Sequence, residues 1–170
     1  LHLDETSGRG WLYEPARRAL WSVDFPFGEP RRTAELPGDW PARLHPVAQT
    51  ADGGQVILIE NESEDIAIPR GRDAVALWRY FNRRRQGTLW AWSPLTRERV
   101  QLAHFDHLAL GHVLPSPTQP DRLAFSADNY EAVGQRIWSV RVDGSDLRAV
   151  RPQEHGEWIS HEFWMPDGLT

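Results

Sequence analysis

The sequence predicts an all-β protein, a β-propeller of three to four blades, and three observations carry that prediction. A strand with an apolar-Trp step, a short loop and a second strand recur three times. The recurrences are spaced by roughly one blade: Trp90 to Trp138 is 48 residues and Pro117 to Pro166 is 49, where a four-stranded blade takes about 40 to 50. The composition fits as well, with nine Trp punctuated by 13 Gly and 13 Pro among 170 residues. That suits a propeller or sandwich better than a helical bundle.

The first unit is Arg18-Ala19-Leu20-Trp21-Ser22-Val23-Asp24, followed by Arg31-Arg32-Thr33-Ala34-Glu35-Leu36. The second is Gly87-Thr88-Leu89-Trp90-Ala91-Trp92-Ser93 with Arg97 to Leu102 behind it. The third is Gln135-Arg136-Ile137-Trp138-Ser139-Val140-Arg141 with Asp146 to Val150. Between them lie turns at Thr50-Ala51-Asp52-Gly53 and Ser116 to Asp121. Each turn leads into an apolar strand, Gln55 to Glu60 or Arg122 to Ser126. A last such unit, an apolar run closing on Pro166-Asp167-Gly168, predicts a strand entering a tight turn, because Pro presets φ and Gly accepts φ > 0. From Trp21 to Trp90 is 69 residues, about one helix too long for a blade. The surplus spans about 61–86, where Asp73 to Phe81 shows helical periodicity, and we expect an insertion over one face.

At this period, 170 residues make a partial propeller domain, 1–170, whose remaining blades are expected elsewhere. The chain opens on Leu1 and closes on a turn, so neither a leader nor a localisation is readable. A net charge of −5 argues against a general nucleic-acid or anionic-membrane binder, and no apolar run approaches the length of a membrane span. Without cysteine there is no disulfide, thiolate nucleophile or thiolate metal site.

Ionisable groups concentrate in one copy of the strand-and-turn unit. His161 and Glu162 stand where its strand begins, and an imidazole suits general-base work near neutral pH. The plainer role for His161 is to cap the strand. Arg136, read as opening an inner strand, is by itself most simply a surface ion-pair partner. His112 lies five residues before Pro117, as His161 lies five before Pro166. That recurrence predicts a shared axial pocket. His104 and His107 have a spacing open to a metal but read as loop, His155 is weaker still, and His2 and His45 carry no signal. The cluster of Arg79, Arg83, Arg84 and Arg85 reads as a solvated helix end, and the tryptophans as blade packing.

Ser160-His161-Glu162-Phe163-Trp164-Met165-Pro166-Asp167-Gly168 resembles the Thr-His-Glu-Phe-Trp-x-Pro-Asp-Gly segment of oligogalacturonate lyases, seven-bladed propellers of pectin degradation. Leu110-Gly111-His112, Arg136-Ile137-Trp138 with Asp143-Gly144-Ser145, and Gly38-Asp39-Trp40 have counterparts in the same order. The resemblance implies a carbon–oxygen lyase acting on oligogalacturonides, with His161 as base, Arg136 assisting it and His112 as a substrate contact. It also implies a divalent metal, manganese, held by histidines and a glutamine of later blades beyond Thr170, so that this segment supplies no metal ligand. A cytoplasmic protein is favoured over a periplasmic one on the same ground. Where the family often has Cys-His-Glu, this chain has Ser126-Ala127-Asp128, which bears on substrate placement.

Chemistry supports the same kit. Breaking a uronide bond by β-elimination removes the C5 proton while the C4 oxygen departs. A cation at the neighbouring carboxylate stabilises the enolate-like charge, and a neutral imidazole takes the proton. A hydrolase would need two carboxylates across the glycosidic bond, and Glu157 with Glu162, flanking one strand start, are poorly disposed for that. A non-catalytic propeller binding an anionic glycan or a protein partner stays open at this point.

Overall fold

A computed structural model of the chain describes residues 2–4, 8–26, 28–41, 44–62, 73–81, 85–127, 135–154, 156–157, 159 and 162–168. These form three four-stranded antiparallel sheets and one α-helix. The first sheet runs β1 (His2–Asp4), β2 (Arg9–Glu14), β3 (Ala19–Asp24), β4 (Arg31–Glu35) in that spatial order. The second is β5 (His45–Gln49), β6 (Val56–Asn61), β7 (Gly87–Trp92), β8 (Arg99–Phe105). The third is β9 (Leu110–Pro115), β10 (Arg122–Ala127), β11 (Ile137–Arg141), β12 (Arg148–Ala149). Each sheet is a meander in chain order, the blade that the sequence predicts. The first strands, β1, β5 and β9, lie beside one another.

Side-chain alternation in the middle sheet shows why the blades stack. In β6, Val56 and Leu58 pack with Trp11, Tyr13, Leu20 and Trp40 of the preceding segment. Ile57 and Ile59 point the other way, into a core with Leu110, Val113, Leu123 and Phe125 of the next sheet. β7 repeats the split: Trp92 joins the first core, Leu89 and Ala91 the second. A strand buried on both faces reads as a continuous apolar run, as Val-Ile-Leu-Ile does here. Each such fully buried aliphatic side chain contributes about 1.5–3 kcal/mol. The tryptophans are packing elements: Trp11 and Trp92 are fully buried, and Trp40 meets Trp92 edge-on at 6.5 Å. Arg99 lies over the rings of Trp40 and Trp90 and pairs with Asp39 at 2.9 Å, closing the outer rim between the first two blades.

The turn units behave alike. Gly53 and Gly168 have φ of +72° and +80°, and their amides donate to Thr50 O and Met165 O. Between β6 and β7 the expected helix is present as α1 (Ala74–Phe81), started by Asp73, whose Oδ1 accepts from the Val75 and Ala76 amides. It is neither long nor apolar enough to cross a membrane. One expectation changes: Glu162 to Met165 enters the turn without being paired in a strand. A strand needs a ladder partner, and none faces these residues among those described. The segment is instead tied to the third blade by Trp164, whose Nε1 donates to Leu114 O at 2.7 Å.

Candidate active site

His112 reaches the site because β9 is bulged. Counting rungs from the turn, Pro115 faces Leu123, Leu114 faces Ala124 and Val113 faces Phe125. The ladder then slips, and Leu110 faces Ala127. Gly111 and His112 together oppose Ser126, and such an extra residue re-aims a side chain. The imidazole stands 62% exposed. In the preceding blade the same rung, the fourth from the turn, is occupied by His45 opposite Ile59, and the bulge of that strand lies nearer the turn, at Val47. Both histidines line one cleft of about 390 Å³, floored by Val47, Ile59, Val113 and Leu114. His45, which the sequence reading set aside, therefore belongs to the cleft wall. Its signal was weak because the bulge puts it six residues before Ala51, not five.

Asn61, at the end of β6, fixes the cleft's far side. Its Nδ2 donates to Leu110 O at 2.7 Å and its Oδ1 accepts from Leu110 N at 2.8 Å. This amide-to-backbone pair joins two blades at the point where β9 begins.

Arg136 departs from its expected place. It precedes β11, which is the third strand of its blade and neighbours the outer β12, not an inner strand. The side chain is only 12% exposed and runs back along the end of β10, with Nη1 donating to Ala127 O at 3.3 Å. Its own amide donates to Gln153 Oε1, so the loop after β12 holds its backbone.

The two groups meet at Glu162. His112 Nδ1 lies 3.2 Å from Glu162 Oε1, and Arg136 Nη2 lies 3.7 Å from Oε2. The Glu162 side chain is 7% exposed, and among the described residues neither oxygen has a hydrogen-bond donor, nor does either touch solvent. A buried carboxylate requires nearby positive charge or polar partners, and here the Arg136 guanidinium supplies charge while the His112 ring nitrogen faces the other oxygen. Glu162 also borders an apolar hollow of about 400 Å³ against Leu114, Ala124, Ile137 and Val150. His161, the expected base, lies outside the described residues, as do His155, Arg83 and Arg84.

Glu157, the other carboxylate of the hydrolytic alternative, is committed elsewhere. It accepts the Glu154 amide at 2.9 Å and both Nη groups of Arg151. The Glu154 amide and then the Arg151 guanidinium hold its carboxyl below the usual carboxylate range, the reverse of what a general acid needs. His104 is likewise occupied, hydrogen-bonded to Thr88 Oγ1 at 2.8 Å and to Asp106 at 3.0 Å. Among the described residues no group of three or more His, Asp or Glu side chains could hold a metal ion. Those residues do not fit such a site.

A sheet-by-sheet meander with neighbouring first strands is the architecture of a β-propeller, and the ionisable cluster is a candidate site at one end of its third blade. The sequence profile of the oligogalacturonate lyase family matches residues 10–170, nearly the whole chain. The chain belongs to that family. The oligogalacturonide lyase of Pectobacterium atrosepticum and the oligogalacturonate lyase of Dickeya dadantii are each 37% identical to it over 60 residues, 35% of this chain and 16% of theirs. A solved oligogalacturonate lyase in complex with manganese superposes with a TM-score of 0.70 at 24% identity, covering 98% of this chain and 43% of that one. The oligogalacturonate lyase of Vibrio parahaemolyticus gives 0.67 at 22%, covering 94% and 44%. TolB of Acinetobacter baumannii gives 0.52 at 16%, covering 96% and 35%, a likeness of fold alone. The chain thus spans less than half the length of the solved relatives.

Proposed function

We propose that the protein to which this chain belongs cleaves short oligogalacturonides by β-elimination. The observation that carries the reading is the meeting of His112 and Arg136 at the buried Glu162 carboxylate. Glu162 is the residue next to His161 in the segment shared with the family. In this reading His161 removes the C5 proton of the uronate ring. The positive charge of Arg136 steadies the enolate-like carboxylate that forms, and exposed His112 contacts the sugar from the cleft. The electrons left at C5 form the C4–C5 double bond as the C4–O bond breaks, and the departing oxygen takes a proton. A divalent cation, manganese in one solved relative, would add charge at the uronate carboxylate from residues other than those described here.

The test uses the full-length protein with trigalacturonate and manganese, following the ultraviolet absorbance of the C4–C5 unsaturated product. Wild type is expected to generate it, and His161→Ala to reduce the rate by roughly 10²–10⁴-fold, the usual contribution of a general base. An inert wild type, or full activity in the variant, would reject the reading. Binding without cleavage would return the propeller to a glycan-binding role.

A further inference from the structure

We propose that Glu162 is a positioning residue that sets the places of His112 and Arg136 and does not itself touch substrate. Three observations carry this. Both carboxylate oxygens are shielded from solvent, so no sugar atom reaches them. The groups flanking them differ in access: His112 is 62% exposed to the cleft, whereas Arg136 is 12% exposed. Glu162 therefore stands between an imidazole open to the cleft and a guanidinium that is mostly covered, within 3.2 Å of the one and 3.7 Å of the other. Finally, the three residues come from separate parts of the chain, the β9 bulge, the approach to β11 and the segment before the last turn. A shared carboxylate is what brings them to one point.

The segment that carries Glu162 is anchored at two points just after it. Trp164 donates to Leu114 O, and the Met165–Gly168 turn closes next to Thr118 of the third blade. Glu162 thus moves with the third blade, and its charge is delivered to His112 at a fixed depth. Since neither oxygen is spent on a hydrogen bond among the described residues, the carboxylate's orienting power goes to the His112 ring and the Arg136 guanidinium. A group held in this way alters the chemistry through orientation, which is costly to lose.

The kinetic arm of the test rests on the lyase reading; the structural arm does not. In the full-length protein, Glu162→Gln keeps the shape and removes the charge, and Glu162→Asp keeps the charge on a shorter stem. With trigalacturonate and manganese we expect Glu162→Gln to lower kcat by at least about 10-fold with KM within about threefold, and Glu162→Asp to recover part of the loss. Loss of kcat only in proportion to lost folded protein, or no loss in either variant, would overturn the proposal. Crystal structures of wild type and Glu162→Gln provide the arm independent of turnover. The His112 ring and Arg136 guanidinium are expected to leave their common point in the variant. If both stay in place, the carboxylate does not position them. Should wild type prove inert, the lyase reading fails while this comparison still decides the role of Glu162.

Discussion

Replacing Arg136 by Met removes a buried positive charge and keeps much of the side chain's apolar bulk. The carboxylate it leaves behind is 7% exposed and accepts no hydrogen bond from the described residues. At the observed 3.7 Å, and with an effective dielectric of about 20, the lost attraction is about 4 kcal/mol. That agrees with the roughly 3–5 kcal/mol usually lost when one member of a buried pair is deleted. At 170 residues each kcal/mol moves Tm by about 2–4 °C, and by less in a larger folding unit, so the variant should melt several degrees lower. Adding Glu162→Gln removes the stranded charge, and most of that loss should be recovered. Thermal unfolding of wild type, both single variants and the double variant measures the coupling directly. If the double variant melts at the temperature expected from adding the two single effects, Arg136 and Glu162 do not interact and the proposed cluster is wrong.

Two further predictions concern the scaffold. Asn61→Ala strands the Leu110 amide and carbonyl where two blades join, and should cost about 2–3 kcal/mol in denaturant unfolding. A change below 0.5 kcal/mol or so would show that the pair does not hold the blades. Asp52 is held below its ordinary pKa of 3.8, chiefly by the Thr50 hydroxyl and then by the Gly54 amide. A depressed folded pKa gives stability that is present above the unfolded value and lost as pH falls through the folded one. Asp52→Asn should therefore be less stable than wild type at pH 7 and lose less stability below about pH 4, by under about 1 kcal/mol for so exposed a group. Parallel acid profiles of the two proteins would contradict this.

Local signals were the legible part of the chain. The turns at Asp52-Gly53 and Asp167-Gly168 announce themselves because positive φ is a property of a few adjacent residues. The strands follow from alternation, and Asp73 marks the start of α1 by its capping oxygen. His45 escaped notice because a bulge is a single-residue slip of register, invisible until the partner strand is known. Arg136 was placed on an inner strand because the apolar-Trp step looks alike in any strand of a blade; only the sheet order distinguishes the third strand from the first. In the sequence Glu162 is only a carboxylate beside a histidine at the start of an apolar run. Its burial is set by residues 26 and 50 positions away in the sequence, Arg136 and His112, which no local pattern joins.

The most direct measurement of the central claim is the mass of the fragments released from trigalacturonate by the full-length protein. Elimination at a C5–H and C4–O pair predicts an unsaturated fragment lighter by one water than the hydrolytic one, with Glu162 kept out of the bond-breaking step. Fragments carrying the added water would mean that carboxylates, not an imidazole and a guanidinium, do the chemistry at this site.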